Sequence, residues 1–121
     1  MRYQRQAETG KVPSGPAAGG QPVADATVEP RPTLMECFIR KFSAETRPWI
    51  KMHADVAAVT VNVALSDEDD SSRGRLLTVY DGAVRAIDRR AGDATVHPSS
   101  LLHGVSRMVE GQRHTLIMFF A

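Results

Sequence analysis

Hydrophobic and polar residues alternate along several short segments in the second half of the chain. In the stretch VAAVTVNVAL, every second residue from Val59 to Val63 is a valine, and Thr60 and Asn62 lie between them. A period of two is typical of a β-strand with one buried face, because successive side chains point to opposite sides. Strand-like segments also occupy residues 75–80, 83–88, 94–97, 101–106 and 113–120.

Turn signals separate these segments, and a helical period is almost absent from this part of the chain. Asp81-Gly82, between two of the predicted strands, is a dipeptide that favours a hairpin turn. Many short strands with frequent turns are typical of sandwiches, jelly rolls and barrels. The pattern therefore predicts a mainly β domain.

The beginning of the chain has a different composition. Residues 9–32, TGKVPSGPAAGGQPVADATVEPRP, are rich in Gly, Pro and Ala and have no hydrophobic period. Such a segment cannot bury enough apolar surface to offset the entropy lost on ordering. Residues 1–32 are therefore predicted to be a disordered leader.

The segment between the leader and the first strand-like pattern, residues 33–48, is predicted to be a short helix or a linker. Apolar residues in it fall at the spacing of one face of an amphipathic helix. These residues are Leu34, Cys37, Phe38 and Phe42. The predicted domain organisation is then the leader, this segment and a β core over residues 49–121.

Composition and charge exclude several functional classes. The chain has 121 residues, of which 42% are hydrophobic, and this is enough for one domain. Its net charge of +1 is not gathered into a basic run, so nucleic acid and membrane surfaces are not expected partners. Cys37 is the single cysteine, which excludes an intrachain disulfide and a Cys-rich zinc site.

No apolar run approaches the roughly 20 residues of a membrane span. The segment MRYQRQAETGKVP has no apolar signal region. A cytoplasmic or nuclear location is therefore expected.

The strongest chemical signal comes from two histidines and one carboxylate. His53 and Asp55 are two residues apart, so both side chains point the same way from an extended segment. With His103 they match the two-His, one-carboxylate triad that binds Fe(II) in non-haem oxygenases. Arg113 follows ten residues after His103, beyond a glycine turn. In adjacent antiparallel strands this separation brings Arg113 and Thr115 close to the predicted metal.

The order of these motifs resembles a known family. HADVAAVTVNVALS, then SRGRL, then GDATVHPSSLLHGVSRMVEGQRHTLIMFF is similar to the catalytic core of the 2-oxoglutarate- and Fe(II)-dependent dioxygenases of the prolyl 4-hydroxylase type. The similarity covers roughly residues 49–121. The chain departs from the family pattern at Arg73-Gly74, where the family has two glycines, and in the Pro/Gly-rich leader, where the family has an aromatic-rich segment.

The resemblance implies a double-stranded β-helix, or jelly roll, that binds Fe(II) through His53, Asp55 and His103, which are also the implied catalytic residues. It implies hydroxylation of a C–H bond, in a prolyl or other amino-acid residue of a protein or peptide or in a small molecule. Ascorbate is a candidate reductant for the iron. The implied 2-oxoglutarate-binding residues are Arg113, Thr115 and Asn62.

Two other interpretations of the same motifs stay open. In the first, the chain is a truncated or degenerate jelly roll that acts as a non-catalytic binding module. In the second, it is a cupin-like metalloprotein that uses the triad without 2-oxoglutarate. Among the remaining polar residues, His97 is predicted to pack rather than to act as a fourth ligand. The acidic run Asp67–Asp70 lacks the spacing of a calcium loop and is predicted to be a solvated connection.

Overall fold

The protein is described by a computed structural model that covers residues 29–68 and 74–121. Its β-strands form two antiparallel sheets of four strands each. Residues 1–28 of the predicted leader, and Asp69, Asp70 and Arg73, lie outside these described residues. The strands are β1 (Leu34–Ser43), β2 (Ile50–His53), β3 (Val59–Ala64), β4 (Leu76–Tyr80), β5 (Ala83–Ile87), β6 (Ala94–Pro98), β7 (His103–Val105) and β8 (Gln112–Phe120).

The strand order is that of a jelly roll. One sheet has the order β1-β8-β3-β6 and the other has the order β2-β7-β4-β5. Neighbouring strands pair antiparallel throughout both sheets of the described region, and residues Arg31–Ala121 belong to one compact unit. This arrangement confirms the predicted mainly β, double-stranded β-helix fold. In residues 29–68 and 74–121, no helix has the length and apolarity that a membrane crossing requires.

The alternation of residues in β3 sets which side chains face the interior. Thr60, Asn62 and Ala64 are buried, and the valines between them are partly exposed on the outer face. The Asp81-Gly82 turn joins β4 to β5 with positive φ at both residues, as its sequence predicts. The period of two therefore predicted the strand, and the structure shows that the face of Thr60, Asn62 and Ala64, not the valine face, lines the interior.

The prediction of a helix or linker over residues 33–48 was wrong for most of that segment. Residues Leu34–Ser43 form β1, which pairs along its length with β8. Alternate residues of this strand, Phe38 and Phe42, point inward, whereas Cys37 is exposed. Pairing with β8 satisfies the backbone hydrogen bonds and overrides the local helical spacing. The β core therefore begins at β1 and not at residue 49.

The apolar core between the sheets is small and lies next to β2 and β7. Phe42, Val105 and Met108 form a buried cluster, and Ile50 packs against it. Because β2 and β7 carry the two histidines of the predicted triad, this cluster supports the strands that position them.

We expect the substitution Gly104→Ala to destabilise the fold, because β7 and β2 approach closely at this residue. An added Cβ would lie 2.8 Å from the carbonyl oxygen of Ile50 and 2.9 Å from Sδ of Met52. Overpacking of this kind costs about 1–3 kcal/mol, which chemical denaturation measures as a lower free energy of unfolding. The exposed Arg107→Ala serves as the control and should leave the stability unchanged. Equal stability of the Gly104 variant and the wild type would contradict the close packing.

Candidate metal centre

The ends of β2 and β7 bring His53 and His103 together, and the residues after β2 add Asp55. The two histidines face each other in the β2–β7 register, with ring centroids 4.5 Å apart. Asp55 Oδ1 lies 3.5 Å from Nε2 of His53, and Asp55 Oδ2 lies 3.4 Å from Nε2 of His103. One ligand atom from each residue lies within 4.8 Å of the other two. The structure therefore gathers the three residues that the sequence singled out.

Backbone carbonyls orient both imidazoles. Nδ1 of His53 lies 2.8 Å from the carbonyl oxygen of Lys51, and Nδ1 of His103 lies 2.9 Å from that of Leu101. A carbonyl accepts only, so each Nδ1 carries the proton and each Nε2 keeps its lone pair towards Asp55. Burial also lowers the pKa of His103, which favours the neutral ring that a metal requires.

A second set of hydrogen bonds holds the carboxylate. The hydroxyl of Thr60 donates to Asp55 Oδ2 at 2.7 Å and lies 2.9 Å from the hydroxyl of Ser99. The backbone N–H of Asp55 donates to the carbonyl oxygen of Ser99 at 2.8 Å. Thr60 and Ser99 are both almost fully buried, so these bonds are shielded from water. This arrangement fixes the direction in which Asp55 presents its oxygens.

We expect the substitution Thr60→Val to weaken Fe(II) binding by about tenfold, the lower end of the usual effect of losing a residue that orients a metal ligand. Valine keeps the shape of the side chain but removes the hydrogen bond to Asp55. The matched control is Thr78→Val, since the Thr78 hydroxyl is buried and has no hydrogen-bond partner among the described residues. Anaerobic titration measures the Fe(II) affinity of both variants. An equal loss of Fe(II) affinity in the two would contradict the role of Thr60.

The donor set and its surroundings fit Fe(II). Two imidazole nitrogens and one carboxylate are the ligands of a facial triad, which occupies one face of the metal and leaves other positions open. The three residues line a cavity of about 350 Å³, which provides room for further ligands. Four residues of β1 also line this cavity: Glu36, Phe38, Arg40 and Phe42.

Arg113 lies in the wall of the same cavity and is 3% exposed. It donates to the carbonyl oxygen of Gly74 and, through Nη2, to the hydroxyl of Thr115 at 3.3 Å. Nη2 also forms an ion pair with Oε1 of Glu68 at 2.5 Å. Burial lowers the pKa of Arg113 to about 10, while the negative charge of Glu68 acts in the opposite direction. The guanidinium therefore remains charged at neutral pH.

The two other predicted cosubstrate residues occupy different positions. Asn62 lines the cavity, and its Oδ1 accepts a hydrogen bond from Arg89 at 2.7 Å. Thr115 is buried against Arg113 and is not part of the cavity wall that the described residues form. Contact of these two side chains with a cosubstrate remains a prediction.

Sequence reasoning missed Glu68 and Arg89. Glu68 was predicted to lie in a solvated connection, but its side chain is fully buried between two guanidinium groups. Its Oε1 lies 2.5 Å from Nη2 of Arg89 and 2.5 Å from Nη2 of Arg113. In the segment RRAGD nothing distinguishes the buried Arg89 from the exposed Arg90. Only the tertiary contact with Glu68 distinguishes Arg89 from Arg90.

His97 packs beside the centre, as predicted. Its ring lies 4.8 Å from that of His103, and its Nδ1 lies 2.8 Å from the carbonyl oxygen of Pro98. The cluster of potential metal ligands among the described residues consists of His53, Asp55 and His103 and does not include His97.

Comparisons with known proteins agree with this fold. No protein-family model and no curated protein matches the chain. It is similar to the crystal structure of an oxidoreductase of the 2OG-Fe(II) oxygenase family from Burkholderia pseudomallei, with a TM-score of 0.66 and 18% identity over 78% of this chain and 47% of that chain. A Pseudomonas putida prolyl-4-hydroxylase matches with a TM-score of 0.59 and 21% identity over 69% of this chain and 49% of that chain.

A third solved structure, AviO1 from Streptomyces viridochromogenes, matches with a TM-score of 0.62 and 17% identity over 74% of this chain and 51% of that chain. The chain thus spans about half the length of these three solved proteins. At such identities the similarity concerns the fold. The chain therefore has the fold of solved 2OG-Fe(II) oxygenase structures and carries a His-Asp-His cluster in its cavity.

Proposed function

We propose that this chain is the catalytic core of a 2-oxoglutarate- and Fe(II)-dependent dioxygenase that hydroxylates a C–H bond. The observation that carries the proposal is the convergence of His53, Asp55 and His103, whose ligand atoms lie within 4.8 Å of one another. Arg113 in the wall of the same cavity and the similarity in fold to solved 2OG-Fe(II) oxygenase structures support it.

In this proposal Nε2 of His53, Nε2 of His103 and a carboxylate oxygen of Asp55 hold the iron. When bound, iron with 2-oxoglutarate and dioxygen would supply the oxidation: a C–H bond becomes C–OH, and 2-oxoglutarate becomes succinate and carbon dioxide. One atom of dioxygen enters the hydroxyl group and the other enters succinate. The Nδ1 hydrogen bonds of both rings and the Thr60 hydroxyl keep the three donors in place.

Arg113 is proposed to bind the distal carboxylate of 2-oxoglutarate. A planar guanidinium forms charge-assisted hydrogen bonds with a carboxylate and suits a buried position. Nε of Arg113 is buried and has no hydrogen-bond partner among the described residues, so a donor remains for a ligand. Phe42, whose ring centroid lies 5.2 Å from Arg113 Cζ, also lines the cavity and adds an apolar surface beside the guanidinium.

The proposed substrate is a prolyl or other amino-acid residue in a protein or peptide. The similarity to a solved prolyl-4-hydroxylase supports this class. Ascorbate is the proposed reductant that keeps the iron ferrous. Incubation of the iron-loaded protein with proline-containing peptides, 2-oxoglutarate and ascorbate should add one oxygen atom to a peptide, as mass spectrometry detects. Oxidation of non-peptide substrates alone would contradict this class while leaving the dioxygenase proposal intact.

The test of the reaction class uses the protein purified without oxygen. Addition of Fe(II) and then 2-oxoglutarate should produce the metal-to-ligand charge-transfer absorption of the chelated ketoacid. Admission of oxygen should then release succinate, even without a second substrate. Circular dichroism provides the control for folding. A folded, iron-binding protein that shows neither the band nor succinate would overturn the proposal.

A second candidate function is a metalloprotein that uses the triad without 2-oxoglutarate. The ion pair between Arg113 and Glu68 favours it, because the guanidinium already has a carboxylate partner inside the protein. In that case the iron-loaded protein should not bind added 2-oxoglutarate, and iron affinity should be indifferent to it. The same titration therefore separates the two functions.

A further inference from the structure

A buried cluster of three charged residues adjoins the metal cavity. Glu68 Oε1 lies 2.5 Å from Nη2 of both Arg89 and Arg113, and the exposed fractions of the three side chains are 0%, 1% and 3%. Two guanidinium groups and one carboxylate leave the cluster with one net positive charge. A buried charge without a counterion is unfavourable, so the cluster is suited to one further anion.

The hydrogen bonds of the cluster are incomplete. Nε of Arg89, Nε of Arg113 and Oε2 of Glu68 are buried without hydrogen-bond partners among the described residues. Both arginines use the same oxygen of Glu68. Because guanidinium donors remain free, the internal carboxylate does not satisfy the two cations completely.

Arg89 is connected to the cavity without forming part of its described wall. Its Nη1 donates to Oδ1 of Asn62 at 2.7 Å and to the carbonyl oxygen of Asn62 at 3.1 Å. Asn62 lines the cavity, and Arg113 lines it as well. Arg89 is therefore linked to the cavity wall directly through Asn62 and, by way of Glu68, through Arg113.

We propose that Arg89 and Glu68 set the charge of the end of the cavity at Arg113, so that one further carboxylate, the distal group of a 2-oxodiacid, makes the cluster neutral. The inference rests on the proposed function, because it assigns two residues to the selection of its cosubstrate. Arg89 is a positioning residue that acts through Glu68 and Asn62. Glu68 lowers the affinity for the diacid and prevents the excess positive charge that two unpaired arginines would create.

This role predicts effects of opposite sign for two substitutions. Glu68→Gln raises the net charge of the cluster from +1 to +2 and should strengthen diacid binding by about tenfold. Arg89→Met lowers the net charge to zero and should weaken it by about tenfold. If both residues were merely structural, both substitutions would weaken binding. The sign of the Glu68 effect therefore distinguishes the two roles.

The experiment compares 2-oxoglutarate with 2-oxopentanoate, which has the same chain length and no distal carboxylate. Each ketoacid is titrated into the full chain with Fe(II) under anaerobic conditions, and binding is followed by charge-transfer absorption and by calorimetry. The ratio of the two dissociation constants should change about tenfold in opposite directions in the two variants. Arg89→Lys, which keeps the charge, and Asp67→Asn, which removes an exposed acidic group next to Glu68, should leave the ratio near that of the wild type.

Several outcomes overturn the inference. It fails if Glu68→Gln and Arg89→Met both weaken diacid binding, or if the ratio is the same in every variant. If the Glu68 variant does not fold by circular dichroism, equal ratios for Arg89→Met and Arg89→Lys overturn it. The proposed function fails differently: the wild type would then bind iron and give no charge-transfer band with either ketoacid.

Discussion

Replacement of His103 by alanine is expected to weaken Fe(II) binding by about 100-fold or more. Loss of a residue that only orients a ligand costs about 10–100-fold in metal affinity, and loss of a ligand should cost at least as much. His103 begins β7 and presents Nε2 3.4 Å from Asp55 Oδ2, so its removal leaves two of three donors. Anaerobic titration of Fe(II), followed by calorimetry, measures the affinity directly.

The matched control for this substitution is His114→Ala. His114 lies on β8, is half-buried and is not a member of the ligand cluster. Its removal should leave Fe(II) affinity unchanged. Circular dichroism must show that both variants keep the β fold. Unchanged Fe(II) affinity in a folded His103 variant would end the assignment of the triad.

Replacement of Arg113 by methionine is expected to weaken 2-oxoglutarate binding by about 100-fold and to leave Fe(II) affinity within a few-fold of the wild type. Truncation of one partner of a buried, hydrogen-bonded charge pair costs about 2–5 kcal/mol in binding, and about 3 kcal/mol corresponds to this factor. Methionine keeps an unbranched apolar stem and removes the guanidinium, whose Cζ lies 5.2 Å from the ring centroid of Phe42, so the change acts mainly on the charge.

The exposed Arg107→Met provides the control for loss of an arginine, because Arg107 lies outside the cavity wall of the described region. The two affinities are measured separately, first for Fe(II) and then for 2-oxoglutarate with the metal in place. Equal binding of 2-oxoglutarate to wild type and to the Arg113 variant would contradict the role of Arg113, and no binding to either would favour the metalloprotein without a ketoacid. Loss of both affinities together would indicate that Arg113 only supports the fold.

The sequence predicted the strands well where the alternation was local. In β3 the period of two predicted the strand, whereas the structure decides that its polar face, with Thr60 and Asn62, is the buried one. The β4–β5 hairpin followed from a turn dipeptide that accepts positive φ at both residues. These signals are local because they depend on side-chain alternation and on backbone conformations allowed within a few residues.

Strand β1 was not predictable in the same way. Its apolar residues satisfy a helical spacing about as well as an alternating one, so the local pattern does not decide between helix and strand. Pairing with β8, almost 70 residues further along the chain, provides the partner for its backbone. As a strand, this segment contributes Glu36, Phe38, Arg40 and Phe42 to the cavity wall.

The sequence by itself determined the mainly β class and the three residues most suited to bind a metal, because strand periodicity and ligand chemistry are properties of individual residues and their near neighbours. The tertiary structure alone decided that Glu68 and Arg89 join Arg113 in a buried cluster beside the cavity. Charge–charge contacts between remote residues depend on where the turns place them. No local sequence pattern predicts these contacts between remote residues.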